Sequence, residues 1–298
     1  MTICVASAPV SWGIFEFEGI APKFPYTQVL DEIAQTGYSG IELGPYGYLP
    51  TDPNKLCKEL EQRKLQLLSA FVPVRLVDAA AHEAGVQEAL KVGRLLAALG
   101  AGYVVLADAN GSVPELVKQA GQRTGSKLSA DEWDIFAKGV DTIAERLNDE
   151  LGLHVVFHHH CAGYVETPDE TRQLMDRVDP ELVGLCLDTG HWHYAGGDAV
   201  ACVKEFGERV RYLPFKDCQP QIAATCRAEG KDYFEAVKAG VFCPLGQGEV
   251  NFPEIVKEVD KHSYDGWAIV EQDVLDDDLG APKKYSAANR QYLRSLGL

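Results

Sequence analysis

Three consecutive histidines, His158, His159 and His160, directly follow an apolar run at 153–157. Histidine carries protons near neutral pH and binds metals, and an apolar core gains nothing from three of them together. A β-branched run that ends in such side chains predicts a buried strand delivering imidazoles to a site. The chemistry that this pattern favours is metal binding or acid–base catalysis.

The alternation of a strand predicts how the three histidines divide. Successive side chains of a strand point to opposite faces. If Val156 faces the interior of the fold, His158 and His160 face it too, and His159 packs behind them. A strand end with solvated or backbone-bonded histidines is the alternative.

Ligand-type side chains also follow the next three apolar runs of the chain. They are Asp188 and His191, then Lys216 and Asp217, then Glu271 and Asp273. With the histidines they form a mixed nitrogen and oxygen donor set, which suits a divalent cation. The pattern therefore predicts one polar site at the ends of four neighbouring strands.

Each of these residues also has a structural interpretation. Asp188 could cap a helix or form a turn before Gly190, and His191 could be a core or surface histidine. Glu271 ends a buried strand, where a carboxylate must find a partner or a metal. An ion pair with Lys216 is the alternative to a metal there.

The elements that must position these residues alternate between short apolar runs and amphipathic segments. There are eight runs, at 3–9, 39–43, 66–72, 103–108, 153–158, 183–188, 210–217 and 266–273. Eight strand–helix units predict an α/β fold, a (β/α)8 TIM barrel, in which active sites form at the C-terminal ends of the strands. An open doubly wound sheet is the alternative, but the first turn lacks the GxGxxG loop of dinucleotide-binding folds.

Segments with helical period lie between the runs, for example at 26–37 and 88–100. The longest predicted helix occupies 129–152, where Ser129 and Glu132 have the spacing of a capping box. Glycines follow several of these segments, where a C-terminal cap belongs.

Two connections, 109–128 and 218–250, are long, and in a barrel such insertions usually cover the mouth of the active site. No stretch of the chain has the composition of an interdomain linker. We therefore expect residues 1–298 to form a single domain.

The composition is that of an ordinary globular protein, with 46% hydrophobic and 24% charged residues. The net charge of -16 argues against nucleic acid and against anionic membranes as partners. Residues 1–13 lack the features of a signal peptide, and no run approaches the length of a membrane span. With eight cysteines in a chain that does not need disulfides, we expect a cytoplasmic protein with reduced thiols.

At these residues the sequence resembles the inosose dehydratase family, part of the xylose isomerase-like superfamily of sugar isomerases and epimerases. The matching segments cover most of 153–273 and read VFHHHCAGYVET, DPELVGLCLDTGHWHYAGGD, FKDC, CRAEGKDYFEAVKAGVFCPLGQGEVNF and KHSYDGWAIVEQD. The first half matches more loosely, through APVSWG and GIELGPYGYLP. The combined HHH, DTGH and KHSYDGW pattern is specific for this group and less specific for the substrate.

The resemblance implies a TIM barrel with a divalent metal, Mn²⁺ or Co²⁺ first, and Mg²⁺ or Zn²⁺ as alternatives. The ligands that it implies here are His158, Asp188 and Glu271. The seventh strand reads YLPFKD where relatives read HVHFKD, so Pro214 stands where a further ligand is expected. That leaves three protein ligands with water, a substitution by another histidine (His160 or His191), or a weak or absent metal.

By the same resemblance, the expected partner is a small sugar or cyclitol, and the chain is expected to form a homodimer or homotetramer. His160 or His191 is the expected acid or base, Lys216 stabilises oxyanion charge, and Glu271 has a catalytic role besides its ligand role. Substrate contacts are expected from Trp12, Glu42, Phe71 and Arg227. Trp12 and Phe71 could instead be simple core residues.

The reaction that the resemblance implies is dehydration of a keto-inositol, a carbon–oxygen lyase reaction. A base removes the proton next to the ketone, and a hydroxyl on the following carbon leaves. A ketose isomerase or epimerase shares the first step, as does a lyase acting on 3-keto-glycosides. A non-catalytic sugar-binding barrel is the alternative from another class, and Pro214 is the residue that favours it.

Overall fold

A computed structural model of the protein describes residues 3–16, 23–125, 127–275 and 278–298. Its strands are β1 (Cys4–Ser7), β2 (Gly40–Ile41), β3 (Gln66–Leu67), β4 (Phe71–Val74), β5 (Tyr103–Asp108), β6 (His154–His158), β7 (Val183–Cys186), β8 (Val210–Phe215), β9 (Asp217–Cys218), β10 (Phe242–Cys243) and β11 (Trp267–Val270). Nine of them form a parallel sheet in the order β3-β2-β1-β11-β8-β7-β6-β5-β4, and β9 pairs with β10 in a small antiparallel hairpin.

The two edge strands of this sheet, β3 and β4, are consecutive in the chain, and the link between them closes the barrel. Leu68 donates its backbone N–H to Ile41 on one side, and Val105 donates to Ala70 on the other. Residues 66–74 therefore act as one barrel strand with two different neighbours. The prediction of a single third strand at 66–72 misses this break, which arises because strands in a barrel tilt and shift their hydrogen-bonding register.

The helices are α1 (Tyr26–Thr36), α2 (Pro53–Glu61), α3 (His82–Ala98), α4 (Pro114–Gln119), α5 (Ala130–Leu151), α6 (Pro168–Met175), α7 (Thr189–Tyr194), α8 (Ala199–Phe206), α9 (Pro220–Glu229), α10 (Tyr233–Lys238), α11 (Phe252–Lys261) and α12 (Ala281–Ser295). The predicted capping box of Ser129 and Glu132 begins α5, and Gly152 ends it in the left-handed conformation. The predicted (β/α)8 TIM barrel is confirmed. None of the described helices has the length and apolar character needed to cross a membrane.

The core has two layers, and strand alternation divides residues between them. Outward side chains such as Val155 and Phe157 join the large cluster between sheet and helices. Inward side chains form a small cluster inside the barrel, which includes Ala6, Leu68, Val105, Val156, Cys186, Tyr212 and Ile269. The same alternation decides which residues at the strand ends face the mouth.

The two long connections pack together over the C-terminal end of the barrel, as the sequence predicts. Helix α4 from the first contacts α10 from the second. A third apolar cluster forms here and joins both connections to the loops after β6 and β7; it includes Val117, Ala120, Cys161, Tyr194, Cys218, Tyr233, Val237 and Phe242. We call α4, α9, α10 and the β9–β10 hairpin the cap.

Candidate active site

The three histidines at the end of β6 divide as strand alternation predicts. Val156 lies inside the barrel. His158 and His160 line a cavity at the mouth, whereas His159 is fully buried against the Trp192 ring, with the ring centroids 4.9 Å apart.

Backbone contacts fix the tautomers of the two histidines that line the cavity. His158 Nδ1 lies 2.5 Å from the carbonyl oxygen of His159, and His160 Nδ1 contacts that of Cys161. Because a carbonyl oxygen can only accept, each Nδ1 carries the proton and each Nε2 presents a lone pair. Burial lowers the pKa of His158 and lowers that of His160 well below its usual value. Both imidazoles are therefore neutral and ready to bind a metal or take a proton.

Asp188 uses its two carboxylate oxygens differently, one as a helix cap and the other toward the mouth. It is the N-cap of α7, where its Oδ1 accepts a hydrogen bond of 2.8 Å from the backbone of His191. Its Oδ2 turns to the mouth, 3.8 Å from His158 Nε2 and 3.0 Å from Lys216 Nζ. Burial alone would raise the pKa of Asp188, but the Lys216 ammonium outweighs it and holds the pKa below the usual value.

Lys216 is buried at the centre of three carboxylates. Its Nζ lies 3.0 Å from Asp188, 3.2 Å from Glu271 and 2.9 Å from Asp273. Burial alone would lower the lysine pKa, but the three acidic neighbours raise it well above its usual value. The side chain is therefore a fixed ammonium, and the predicted ion pair of Glu271 with Lys216 is present.

Glu42 extends the site onto the opposite wall of the barrel. Its Oε1 accepts hydrogen bonds of 2.6 Å from Tyr212 and 3.1 Å from Ser69, both inside the barrel. Burial raises the pKa of Glu42 despite these donors. The carboxyl is thus held in place and disposed to carry a proton.

His158, Asp188 and Glu271 fit a divalent cation. Each offers a ligand atom, and these atoms lie within 4.8 Å of one another. Besides its ion pair with Lys216, Asp188 Oδ2 lies 3.8 Å from His158 Nε2. Three carboxyl groups surround one ammonium, and burial together with the nearby carboxylates raises the pKa of Glu271 well above its usual value. A divalent cation would complete the donor set and balance these charges.

Pro214 offers this site no ligand. It lies in β8 opposite Ile269, between Tyr212 and Lys216, whose side chains both turn into the barrel. A proline side chain has no lone pair, so the candidate cation site has the three protein donors His158, Asp188 and Glu271.

Most of the predicted site residues surround one cavity at the mouth of the barrel. Its lining includes His158, His160, Lys216, Glu271, Glu42 and Phe71. Asp188 and His191 are fully buried just behind it, and His191 stacks on His160 with the ring centroids 4.0 Å apart. His191 can therefore act on a substrate only through its neighbours, so of the two histidines expected as acid or base His160 is the one that lines the cavity.

Two predicted substrate contacts lie elsewhere. Trp12 is buried and donates its indole N–H to Glu32 at 2.8 Å, on the side of α1. Arg227 lies in the last turn of α9 and donates to the carbonyl oxygens of Gly121 and Tyr194, both at 2.7 Å. Neither is among the described residues of the cavity wall. Trp12 is a core residue, and Arg227 ties the cap together, because both side chains turn away from the mouth.

Asp217, beside Lys216, also points away from the mouth. Its carboxylate accepts backbone hydrogen bonds from Cys218, Gly246, Gly248 and Val250. A Cβ at Gly248 would lie 2.2 Å from its Oδ1, so a glycine is required for this close approach. Asp217 thus anchors the loop after β10 and is not part of the cation site.

Three polar residues of the cavity wall had no catalytic or binding role from sequence: Glu16, Tyr233 and Asp273. Asp273 follows the eighth strand, where the sequence did place a ligand-type side chain. Glu16 and Tyr233 lie in connections, where no periodicity predicts the direction of a side chain.

Comparisons with known proteins agree with this architecture. The family model described as xylose isomerase-like TIM barrel matches residues 30–296. The inosose dehydratase of Lacticaseibacillus casei is 30% identical over 98% of this chain and 97% of its own length. The probable 3-DHS dehydratase AsbF of Bacillus anthracis superposes with a TM-score of 0.69 at 15% identity, covering 98% of this chain and 99% of that one. The IOLI protein with a bound zinc atom gives 0.68 at 15% identity, covering 99% and 98%.

Proposed function

The chain belongs to the xylose isomerase-like TIM barrel family, and we propose that within it this protein dehydrates a cyclic polyol ketone of the inosose type. The observation that carries this proposal is the composition of one cavity. It joins a neutral imidazole, a buried ammonium and a three-residue cation site. A base that takes the proton next to a ketone, and fixed positive charge that stabilises the resulting oxyanion, both favour this abstraction.

The cation would be held by His158 Nε2 and by carboxylate oxygens of Asp188 and Glu271. When bound, it supplies Lewis-acid polarisation of the substrate ketone. The donor set of one nitrogen and two oxygens suits Mn²⁺ or Co²⁺, and Mg²⁺ or Zn²⁺ are the alternatives.

The other roles, which are proton abstraction, charge stabilisation and substrate binding, belong to side chains of the protein. His160, whose Nε2 is the ring nitrogen that carries no proton, takes the proton from the carbon next to the ketone. Lys216 Nζ stabilises the negative charge that develops on the ketone oxygen, since its ammonium is fixed before the substrate arrives. Phe71 covers the apolar side of the cavity, and Glu42 lies ready to hold a substrate hydroxyl. Glu271 lines the cavity beside the reacting atoms while it binds the cation.

The assay is proton exchange and dehydration followed in the same tube. Metal-stripped protein receives Mn²⁺, Co²⁺, Mg²⁺ or Zn²⁺ in turn and is mixed with inosose in deuterated water, and the products are followed by NMR. We expect exchange of the proton next to the ketone and loss of one water, both dependent on the added metal.

The other outcomes separate the rival functions. Exchange without loss of water, together with inversion or ketone migration in a sugar panel, would assign an isomerase or epimerase. Release of the aglycone from a 3-keto-glycoside, with inosose inert, would assign the glycoside lyase. Binding of sugars with neither exchange nor elimination would overturn the enzyme assignment and favour a binding barrel.

A further inference from the structure

The cap brings a tyrosine hydroxyl into the site. Tyr233 is the first residue of α10, and a capping box between Asp232 and Glu235 fixes the start of this helix. The Tyr233 side chain is 1% exposed and lines the cavity. It therefore reaches down from the cap to the strand ends.

The Tyr233 hydroxyl lies between two groups of the mouth. It donates to Asp273 Oδ2 at 2.8 Å and is 3.4 Å from His160 Nε2. The phenol ring contacts the His160 ring at 5.3 Å and stacks on His191 at 6.1 Å. One small rotation about the C–O bond would direct its proton to Asp273, to His160 or into the cavity.

Two other buried tyrosines, Tyr38 and Tyr264, are placed differently. Tyr38 and Tyr264 each donate to a backbone carbonyl, of Ser286 and Trp267 respectively. Those contacts satisfy a hydroxyl and hold the fold. The Tyr233 hydroxyl instead contacts two ionisable side chains and faces the cavity. Burial raises the pKa of Tyr233 well above its usual range, so the phenol stays protonated and able to donate.

We propose that Tyr233 is a catalytic residue that hands the proton collected by His160 to the departing hydroxyl of the substrate. This inference rests on the dehydratase function proposed above. The general acid of the elimination, Tyr233, then belongs to the cap, and the base, His160, belongs to the barrel.

The step balances within the site. The bond between carbon and the proton next to the ketone breaks, and the proton goes to His160 Nε2. A carbon–carbon double bond forms as the carbon–oxygen bond of the neighbouring hydroxyl breaks. That oxygen takes the proton of Tyr233 Oη and leaves as water, while His160 returns its proton to Tyr233. Both residues end in their starting states, so no proton from bulk water is needed.

The matched pair of variants is Tyr233→Phe and Tyr38→Phe, which each remove one hydroxyl from a buried tyrosine. Exchange and dehydration of inosose are measured in deuterated water. For Tyr233→Phe we expect dehydration to fall about 100-fold, the scale of general acid catalysis, while exchange and KM stay within about threefold of wild type. Tyr38→Phe should change neither rate, and His160→Gln should lose both.

Each outcome decides the proposal. Unchanged dehydration in Tyr233→Phe, or equal loss of exchange and dehydration in a folded variant, would overturn the relay while leaving the dehydratase function intact. A wild type that shows no dehydration would overturn the proposed function and the relay with it. If Tyr233→Phe fails to fold, 3-fluorotyrosine at position 233 keeps the contacts and acidifies the phenol. The dehydration rate, and not the exchange rate, should then change its dependence on pH.

Discussion

Two clusters of buried charge lie within the same end of the molecule and are built in opposite ways. The mouth cluster consists of Lys216 with Asp188, Glu271 and Asp273. The second cluster lies beside the cap, where the first long connection meets the loop after β6, and we call it the cap cluster. It consists of Arg123 with Glu166 and Glu170, and with Asp108 close by. Both are almost completely removed from solvent, so both must compensate for desolvation.

The cap cluster is satisfied largely by the backbone. Glu166 accepts from the backbone N–H groups of Gly121 and Ala162, and Glu170 accepts from those of Glu166 and Thr167. Arg123 joins Glu170 at 2.6 Å and also donates to two carbonyl oxygens, those of Gly163 and Tyr164. These contacts tie the first long connection to the loop after β6.

The mouth cluster is built from side chains, and its members lie on or just behind the cavity wall. It has three carboxylates around one ammonium, and among the described residues neither ring nitrogen of the nearby His191 has a hydrogen-bond partner. The comparison teaches that burial of charge alone does not mark a functional site. A cluster held largely by backbone donors holds the fold, whereas one built from side chains that faces a cavity is suited to a cation and a substrate.

The largest expected effect comes from breaking the mouth cluster at Asp188. Asp188→Ala should lower dehydration by about 10³-fold or more and abolish metal binding, since several kcal/mol of charge stabilisation is lost. The measurement is turnover of inosose together with the metal content of the protein.

Asp198→Ala is the matched control, because Asp198 also caps a helix, α8, but lies on the surface. It should cost only about 1 kcal/mol of stability and leave turnover unchanged. Full turnover and full metal content in Asp188→Ala would refute the assignment of the mouth cluster.

Breaking the cap cluster should change the free energy of unfolding more than it changes kcat. Arg123→Met leaves Glu170 without its cation in a buried site, so the free energy of unfolding should fall by about 3–5 kcal/mol in urea titrations. The control is Arg172→Met, which breaks exposed pairs with Asp169 and Glu205 and should cost no more than about 1 kcal/mol. A small loss in Arg123→Met with a large fall in kcat would contradict the structural role.

The free energy of unfolding should also depend on pH through the cap cluster, because Glu166 titrates there. Burial raises the pKa of Glu166 to about 7 from its ordinary 4.5. The folded protein therefore holds this proton more tightly than the unfolded chain does. Its contribution is full below about pH 4.5 and is lost as the pH rises to about 7, by up to about 3 kcal/mol.

Urea unfolding at a series of pH values measures this slope, and Glu166→Gln should flatten it. Asp108 and Glu16, whose pKa values burial raises to about 6 and about 8, should leave a residual slope. An identical slope in Glu166→Gln and wild type would show that Glu166 is already ionised in the folded protein.

The smallest expected effect is on the affinity of the mouth cluster for a metal. Pro214→His places an imidazole on the inward face of β8, next to the cation site, and should tighten metal binding by about tenfold, or ~1.4 kcal/mol. Calorimetric titration with Mn²⁺ measures it, and Pro214→Ala is the control, since it changes the backbone without adding a ligand. Equal affinities in the two variants would place position 214 outside the reach of the metal.

Strand periodicity explains what could be predicted from the sequence. His158 and His160 could be assigned to the mouth and His159 to the opposite face because side chains alternate along a strand. Asp188 and Glu271 could be placed beside them because parallel strands end at one rim of a barrel.

Connections have no such periodicity, and there the sequence was less informative. Trp12 and Arg227 were expected at the substrate and turn away from it, whereas Tyr233 received no role and reaches the cavity. Their directions depend on how the cap packs on the barrel, through contacts that are distant in the chain. The break between β3 and β4 had the same origin, because only the closed barrel requires it.

The most direct test of the account is the position of the cation itself. Crystals of the protein soaked in Mn²⁺ can be measured near the manganese absorption edge, where anomalous scattering locates the ion. The account predicts one peak in the mouth cluster, about 2.0–2.2 Å from His158 Nε2 and from oxygens of Asp188 and Glu271. A fully active protein with no peak there, or with its manganese bound elsewhere, would contradict it.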